Sequence, residues 1–320
     1  MATRIDTGQT LFVPPAAAVD SHVHLFDGAR FPYVPDRRYT PATASVADLR
    51  AFLKSARIGR AVLVQPSVYG SDNRCLLDGL AQLGPEVVRG IAVIDAATVT
   101  NPELRALMAA GVVGVRVNLN TRGAEEASAA LAALAAIAAT IARVADVGLL
   151  VQIYVAMPLL AALERTIADS RVPVVLDHFA GASAGGGLSQ QGFGSLARLL
   201  AEGKVWVKLS APYRASPGAL PYADVEPIAR EMMRLNPERL VWASDWPHTG
   251  GGAERKARAA AETEPFRDID DAGVLGIAAA WCGSDPMRDR LFVTNPARLF
   301  GFRGGSARPQ PMGTDSGTKP

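Results

Sequence analysis

The 320-residue chain has the composition of a globular protein, with 49% hydrophobic and 20% charged residues. Its formal net charge is +2 and its Lys and Arg residues form no long basic run, which argues against a nucleic-acid partner. The two cysteines, Cys75 and Cys282, form no CxxC pair, which favours a reduced, cytoplasmic protein. No segment has the character of a signal peptide or a membrane span, so we expect no membrane partner. A homo-oligomer is compatible with the sequence.

Eight short, apolar, β-branched runs recur along the chain and predict strands. They are Val19–Val23, Ala61–Gln65, Gly90–Ile94, Val112–Val117, Leu149–Val155, Val172–Leu176, Val205–Leu209 and Leu240–Ala243. Near-continuous apolar strands of this kind are typical of a parallel sheet that is buried on both faces.

Segments of helical composition lie between and after these runs. They are Val46–Ala56, Asn73–Leu83, Pro102–Ala110, Glu125–Ala145, Pro158–Asp169, Gln191–Glu202, Asp224–Leu235, Arg255–Glu264 and Ala272–Cys282. Strands that alternate with helices in this way predict an α/β fold, a single (β/α)₈ TIM barrel. A doubly wound sheet is the alternative, but no GxGxxG turn follows the first run. We therefore predict a barrel over residues 19–302, with an N-terminal lead (1–18) and a disordered, Gly- and Pro-rich tail (303–320).

All four histidines of the chain follow predicted strands. His22 and His24 end the first strand, His178 follows the sixth, and His248 follows the eighth. In a barrel these positions meet at the C-terminal rim, where such enzymes keep their active sites. Residues i and i+2 of a strand point to the same face, so His22 and His24 enter the barrel mouth together.

Asp245 follows the eighth strand and joins this histidine group. Three imidazoles and a carboxylate are the ligands of a mononuclear zinc site. Without metal, Asp245 would instead deprotonate water while the imidazoles hold that water or polarise a carbonyl. The spacing does not choose between these two chemistries.

Cationic and phenolic side chains form a second group at the same rim. Arg116 closes the fourth strand, Arg122 follows six residues later, and Arg214 follows the seventh strand. Tyr154 ends the fifth strand, and Tyr39 lies in the loop after the first. Guanidinium groups at a barrel mouth suit carboxylates, which predicts a small anionic substrate with more than one carboxylate. For Arg122, pairing with an acidic residue on a helix is an equal alternative.

The chain resembles the amidohydrolase-2 family of (β/α)₈ hydrolases, and within it the 2-pyrone-4,6-dicarboxylate lactonases. The resemblance covers roughly residues 19–300. It rests on the segments Asp20–His24, Gln65–Gly70, Gly114–Asn118, Leu176–His178, Lys208–Ser210, Ser244–His248 and Asn295–Phe300.

The resemblance implies a metal-free lactonase of aromatic catabolism, with no cofactor, in which Asp245 activates water and His22, His24 and His178 support the water and the lactone carbonyl. The side chains that it implies for substrate binding are Arg116, Arg122, Arg214, Tyr154 and Tyr39. Apart from the resemblance, we predict that Ser67, at the end of the second strand, and His248, after the eighth, also bind substrate. For Ser67 we expect hydrogen bonding only, since no GxSxG nucleophile elbow is present.

Two alternatives stay open. The first is a zinc-dependent hydrolase or decarboxylase with a single Zn²⁺ on His22, His24, His178 and Asp245. A binuclear centre is not expected, because the fifth strand carries no Lys or Glu to bridge two metals. The second alternative is a lactonase or isomerase for sugar lactones or a muconolactone.

Overall fold

The computed structural model describes residues 12–119 and 127–303. Arg122 and nearly all of the predicted tail lie outside these residues, so their roles stay predictions. Among the described helices, none combines the length and apolarity needed to cross a membrane.

Eight parallel strands form one sheet in chain order, which we number β1 to β8. They are β1 Val19–Val23, β2 Arg60–Val64, β3 Val88–Ala92, β4 Val112–Asn118, β5 Leu150–Tyr154, β6 Val174–Leu176, β7 Val205–Ser210 and β8 Leu240–Ala243. The backbone links β8 back to β1, since His24 N–H donates to Trp246 O (2.9 Å) and Asp245 N–H donates to His22 O (3.1 Å). The predicted TIM barrel is confirmed, and each predicted run overlaps one of its strands, with ends that differ by up to two residues.

Helices surround the sheet. They are α1 Val46–Ala56, α2 Arg74–Leu83, α3 Asn101–Ala109, α4 Ala127–Val144, α5 Leu160–Ala168, α6 Phe193–Ala201, α7 Pro212–Ala215, α8 Glu226–Leu235, α9 Gly252–Ala257, α10 Asp271–Cys282, α11 Asp285–Asp289 and α12 Asn295–Phe300. Their starts follow local chemistry. Ser45 and Thr100, for example, each form a capping box with an acidic residue three positions later, at the start of α1 and of α3.

The predicted helix Arg255–Glu264 is wrong beyond Ala257, where α9 ends. Residues Thr263–Glu264 form instead a two-residue parallel strand against Thr40–Pro41, and Ala42 N–H donates to Glu264 O (3.1 Å). Tertiary pairing outweighs the helical composition of this short segment, as it often does where intrinsic propensity is weak.

An apolar plug fills the bottom of the barrel. Leu150, Val175 and Trp206 point inward from β5, β6 and β7 and contact Phe300 and Phe302 from the C-terminal end of the described chain, all in one buried cluster. These buried side chains fill the N-terminal end of the barrel interior in the described part of the chain.

Strand alternation then places polar side chains above the plug. In β7, Trp206 lies in the plug and Lys208 and Ser210 follow on the same inward face, two and four residues later. By the same period Gln152 follows the plug residue of β5, and Asp177 follows that of β6. Gln152, Asp177 and Lys208 are all buried, so a polar layer lies directly beneath the rim.

Truncating the plug should destabilise the barrel. Phe300 is fully buried, so Phe300→Ala is expected to lower the free energy of unfolding by about 3–5 kcal/mol, measured by urea denaturation. Leu131→Ala on α4 is the control, because Leu131 is 68% exposed and its truncation is expected to change stability by less than about 0.5 kcal/mol. Equal losses in the free energy of unfolding for the two variants would contradict the stabilising role of the plug.

Candidate active site

A cavity opens at the C-terminal rim, above the polar layer. It is lined by His24, Tyr39, Pro66, Ser67, Arg116, Asn118, Tyr154, His178, Arg214, Asp245, Thr249 and Arg255. The rim position is the one at which TIM barrels carry their active sites. Most of the predicted site residues are therefore brought together by the fold.

Asp245 lies at the centre of the predicted histidine group. Its Oδ1 atom is 3.7 Å from Nε2 of each of three imidazoles, those of His22, His24 and His178. The Nε2 atoms of His22 and His24 are 3.2 Å apart. One carboxylate oxygen thus faces three ring nitrogens across a space in which a water molecule or a carbonyl oxygen could be held.

The second oxygen of Asp245 is held by cationic and phenolic donors. Arg214 Nε donates to Oδ2 at 2.7 Å, and the Tyr213 hydroxyl donates to it at 2.8 Å. Burial alone would raise the pKa of Asp245, but the Arg214 guanidinium holds it well below its usual range. Asp245 is therefore an ionised carboxylate in a water-poor pocket, which is the state that a general base requires.

The imidazoles around it are neutral. Burial lowers the pKa of His24 and of His178 to about 4, against the opposing effect of Asp245. Burial and Lys208 together lower the pKa of His22 well below its usual range. His24 Nδ1 lies 2.7 Å from Val64 O and donates to it, so its Nε2 presents a lone pair to the cavity. His178 Nδ1 lies 2.8 Å from Ser210 Oγ.

The polar layer contacts this group from below. Lys208 Nζ lies 3.2 Å from His22 Nδ1 and 2.7 Å from Gln152 Oε1. Asp177 Oδ2 accepts hydrogen bonds from Arg116 Nη2 (3.1 Å) and Gln152 Nε2 (2.9 Å). Burial lowers the pKa of Lys208 to about 8, with Asp177 opposing the shift, so the ammonium is mostly protonated at neutral pH.

Sequence reasoning gave Lys208, Asp177 and Tyr213 no role. The available signal was a charged residue in an otherwise apolar strand: Lys208 interrupts the run Val205–Ser210 on its inward face. Arg255 was also missed. It lies over the Tyr39 ring at 3.7 Å and pairs with Glu264 at 2.6 Å.

The predicted substrate-binding residues take different positions. Tyr39 and Ser67 both line the cavity, and the Tyr154 ring lies edge-on to the His178 imidazole. Arg116 Nε is buried and has no hydrogen-bond partner among the described residues, so the cavity wall holds an unused donor. His248 is not among the lining residues. Its ring nitrogens lie 3.2 Å from the Tyr213 hydroxyl and 2.9 Å from Asp271 Oδ1.

Backbone strain is concentrated at this rim. Asp245, His248, His178 and Ala211 all have positive φ, at 69°, 67°, 48° and 50°. Such conformations are costly for residues other than glycine and persist only where the surroundings enforce them. Their grouping at the strand ends is typical of a functional site.

The donor types at this centre fit a single divalent metal ion. Nitrogen and oxygen ligand atoms of His22, His24 and Asp245 lie within 4.8 Å of one another, as do those of His22, Asp177 and His178. Imidazole and carboxylate are the usual ligands of catalytic zinc. A zinc ion held there would supply Lewis acidity and lower the pKa of a bound water.

The barrel and its histidine–aspartate centre define a hydrolase of the amidohydrolase type. The family model described as Amidohydrolase (Amidohydro_2) matches residues 19–302, and the chain belongs to this family.

Named relatives match nearly the whole chain. A 4-sulfomuconolactone hydrolase from Rhizobium radiobacter is 32% identical over 291 residues, 91% of this chain and 92% of the relative. A 2-pyrone-4,6-dicarboxylate hydrolase from Comamonas testosteroni is 31% identical over 301 residues, 90% of this chain and 92% of the relative. The crystal structure of a putative 2-pyrone-4,6-dicarboxylic acid hydrolase from Pseudomonas putida superposes with a TM-score of 0.73 at 30% identity, covering 90% of this chain and 99% of that one.

The Tyr213 hydroxyl should stabilise the ionised carboxylate. Removing it in Tyr213→Phe is expected to lower the free energy of unfolding by about 1.5 kcal/mol, since a hydrogen bond to a charged, buried group is lost. Denaturant titration measures this. The control is Tyr222→Phe, which removes a hydroxyl that no carboxylate accepts among the described residues. A loss that is no larger for Tyr213→Phe than for the control would contradict the role of the Tyr213 hydroxyl.

Proposed function

We propose that this protein is a lactonase that opens a small lactone bearing carboxylate or similar anionic groups, with Asp245 as the base. The observation that carries the proposal is the environment of Asp245. One of its oxygens is held by Arg214 and Tyr213, and the other faces three neutral imidazoles. This is a preorganised, ionised base beside groups that can orient water and stabilise developing charge.

The reaction that we propose is hydrolysis of the ring ester by water that Asp245 activates. A water molecule adds to the lactone carbonyl carbon, and Asp245 Oδ1 takes its proton. The tetrahedral oxyanion is stabilised by hydrogen bonds from the imidazole group. The ester C–O bond then breaks, and the leaving ring oxygen takes from Asp245 Oδ1 the proton that came from water, which regenerates the base. The product is an open-chain carboxylate.

The substrate class is supported by charge and by the relatives. The names of two relatives describe lactones with a sulfo group or with two carboxylates. In this chain Arg116 and Arg214 line the cavity together with Tyr154 and Ser67. Arg116 keeps a buried donor without a partner among the described residues, which an anionic substrate would satisfy. We propose that Arg116, Arg122, Arg214, Tyr39, Tyr154 and Ser67 bind the substrate, and that His248 acts through the Tyr213 hydroxyl, which lies 3.2 Å from its ring.

We propose that the reaction runs without metal, in a cytoplasmic enzyme. The alternative is a single zinc ion on His22, His24, His178 and Asp245. The proposal favours the metal-free form because Asp245 is already charge-paired with Arg214 at 2.7 Å and does not need a metal to stay ionised.

The substrate test uses metal-stripped protein and two lactones, 2-pyrone-4,6-dicarboxylate and 4-sulfomuconolactone. Opening of the pyrone ring removes its ultraviolet chromophore, so turnover is followed directly. Turnover of either lactone without metal is expected. Turnover only after addition of Zn²⁺ would replace the metal-free mechanism, and no turnover of either lactone under both conditions would contradict the substrate class.

Removing the base should abolish turnover while leaving binding. Asp245→Asn is expected to lower kcat on the order of 10³-fold with little change in KM, because general-base catalysis is lost and the anion-binding groups remain. Asp146→Asn is the matched control, since Asp146 is 80% exposed and should keep wild-type rates. A kcat for Asp245→Asn within tenfold of wild type would reject Asp245 as the base.

A further inference from the structure

The polar layer under the catalytic group contains a lysine for which the proposed mechanism has no use. We infer that Lys208 is a positioning residue that fixes the tautomer of His22, so that the His22 proton is on Nε2, where it faces Asp245 Oδ1 and His24 Nε2 beneath the cavity lining. This inference deepens the proposed function and rests on it only for its consequence in catalysis. The tautomer itself follows from the hydrogen-bond directions.

Lys208 has three acceptors within reach. Its Nζ atom lies 2.7 Å from Gln152 Oε1, 3.2 Å from His22 Nδ1 and 3.4 Å from Asp177 Oδ1. A lysine ammonium has three N–H donors and no acceptor. Lys208 is fully buried, so protein atoms satisfy its donors. Its hydrogen bonds go to Gln152 Oε1 and His22 Nδ1, and Asp177 Oδ1 contributes only its charge.

The neighbours of Lys208 hold it in this orientation. Gln152 Nε2 donates to Asp177 Oδ2 at 2.9 Å, which turns the amide oxygen of Gln152 toward Lys208. Arg116 donates to the same oxygen of Asp177. The layer is therefore a directed network that reaches the catalytic imidazoles at His22 Nδ1, through Lys208.

Asp177 is the one competitor for His22 Nδ1. Its Oδ1 atom lies 3.3 Å from that nitrogen, yet it makes no hydrogen bond of acceptable geometry with any described residue. Lys208 does make one to Nδ1. Because Lys208 can only donate, His22 Nδ1 must accept, and a neutral imidazole that accepts at Nδ1 carries its proton at Nε2.

The consequence is a pair of opposed tautomers in the cavity. His24 donates from Nδ1 to Val64 O and presents a lone pair at Nε2, and the N–H at His22 Nε2 donates to that lone pair across 3.2 Å. A bound lactone carbonyl oxygen would take over the His22 proton, and the lone pair of His24 would then accept from the attacking water. Lys208 does not touch substrate and acts through His22.

The same arrangement disfavours a metal at this centre. A metal ligand needs a lone pair, so His22 could bind through Nε2 only if its proton moved to Nδ1 and turned to Asp177 Oδ1, 3.3 Å away. Lys208 opposes that move because its own N–H already points at Nδ1. Removing the lysine donor should therefore release His22 to the other tautomer.

The test is ¹⁵N NMR of the full chain labelled at histidine, in metal-free buffer at pH 7. The chain has only four histidines, and a His22→Gln spectrum assigns the His22 signals. We expect wild-type His22 to show a protonated Nε2 and a bare Nδ1. This measurement needs no folded variant at Lys208, and a wild-type proton on Nδ1 would overturn the inference.

The variant Lys208→Met keeps a long apolar side chain and removes the donors. We expect its His22 proton to move to Nδ1, its Zn²⁺ affinity by competition with a chromophoric chelator to rise about tenfold or more, and kcat to fall on the order of 10²-fold with KM nearly unchanged. Lys204→Met is the control, since Lys204 is an exposed lysine just before β7. A Lys208→Met protein whose His22 is still protonated at Nε2 overturns the inference.

The two proposals can fail separately. Absence of lactone turnover in the wild type would reject the proposed function. The NMR measurement of the His22 tautomer would still decide the role of Lys208. A wild-type enzyme that hydrolyses lactones but carries the His22 proton on Nδ1 would keep the function and reject the role of Lys208.

Discussion

The ion pair between Arg214 and Asp245 is the interaction on which the rest of the site depends. Asp245 is 1% exposed, and a carboxylate at such a position without a cationic partner would take up a proton and lose its use as a base. Arg214 and the Tyr213 hydroxyl occupy one carboxylate oxygen and leave the other for chemistry. Arg214 belongs to α7, after β7, whereas Asp245 follows β8 and is bonded through its backbone to His22 on β1. The backbone contact that closes the barrel between β8 and β1 therefore also fixes Asp245 in place, next to the guanidinium that keeps it charged.

The division of the barrel into layers explains how the molecule tolerates this concentration of charge and strain. The apolar plug around Trp206 and Phe300 supplies burial at the closed end, where no residue is needed for chemistry. The rim can then hold positive φ angles at His178 and Asp245, each of which costs stability. Between plug and rim, Lys208, Gln152 and Asp177 hydrogen bond to one another or to neighbouring side chains, although Asp177 Oδ1 has no hydrogen-bond partner among the described residues. Mutual pairing of this kind lowers the cost of burying ionised groups in the core.

Strand period and strand-end chemistry were enough to predict the barrel and the group of His22, His24, His178 and Asp245, because both depend on local sequence alone. The contacts of Lys208 could not be predicted in this way. Its partners lie on β1, β5 and β6, and which inward residues meet across a barrel depends on strand stagger, which one sequence does not display. The segment after Ala257 was misread for a related reason, since its pairing with Thr40–Pro41 involves residues more than 200 positions away.

The same limit applies to the choice between metal and metal-free chemistry. The spacing of the histidines and the aspartate is the same in both cases, because both need imidazole Nε2 atoms and a carboxylate around one point. The two chemistries differ in which ring nitrogen of each histidine carries the proton. The hydrogen-bond partner of each Nδ1 atom decides this. Val64 O accepts from His24 and leaves its Nε2 bare, whereas Lys208 donates to His22 and leaves its Nε2 protonated. In this barrel a buried lysine two residues above the apolar plug is therefore the feature that separates a proton donor from a metal ligand.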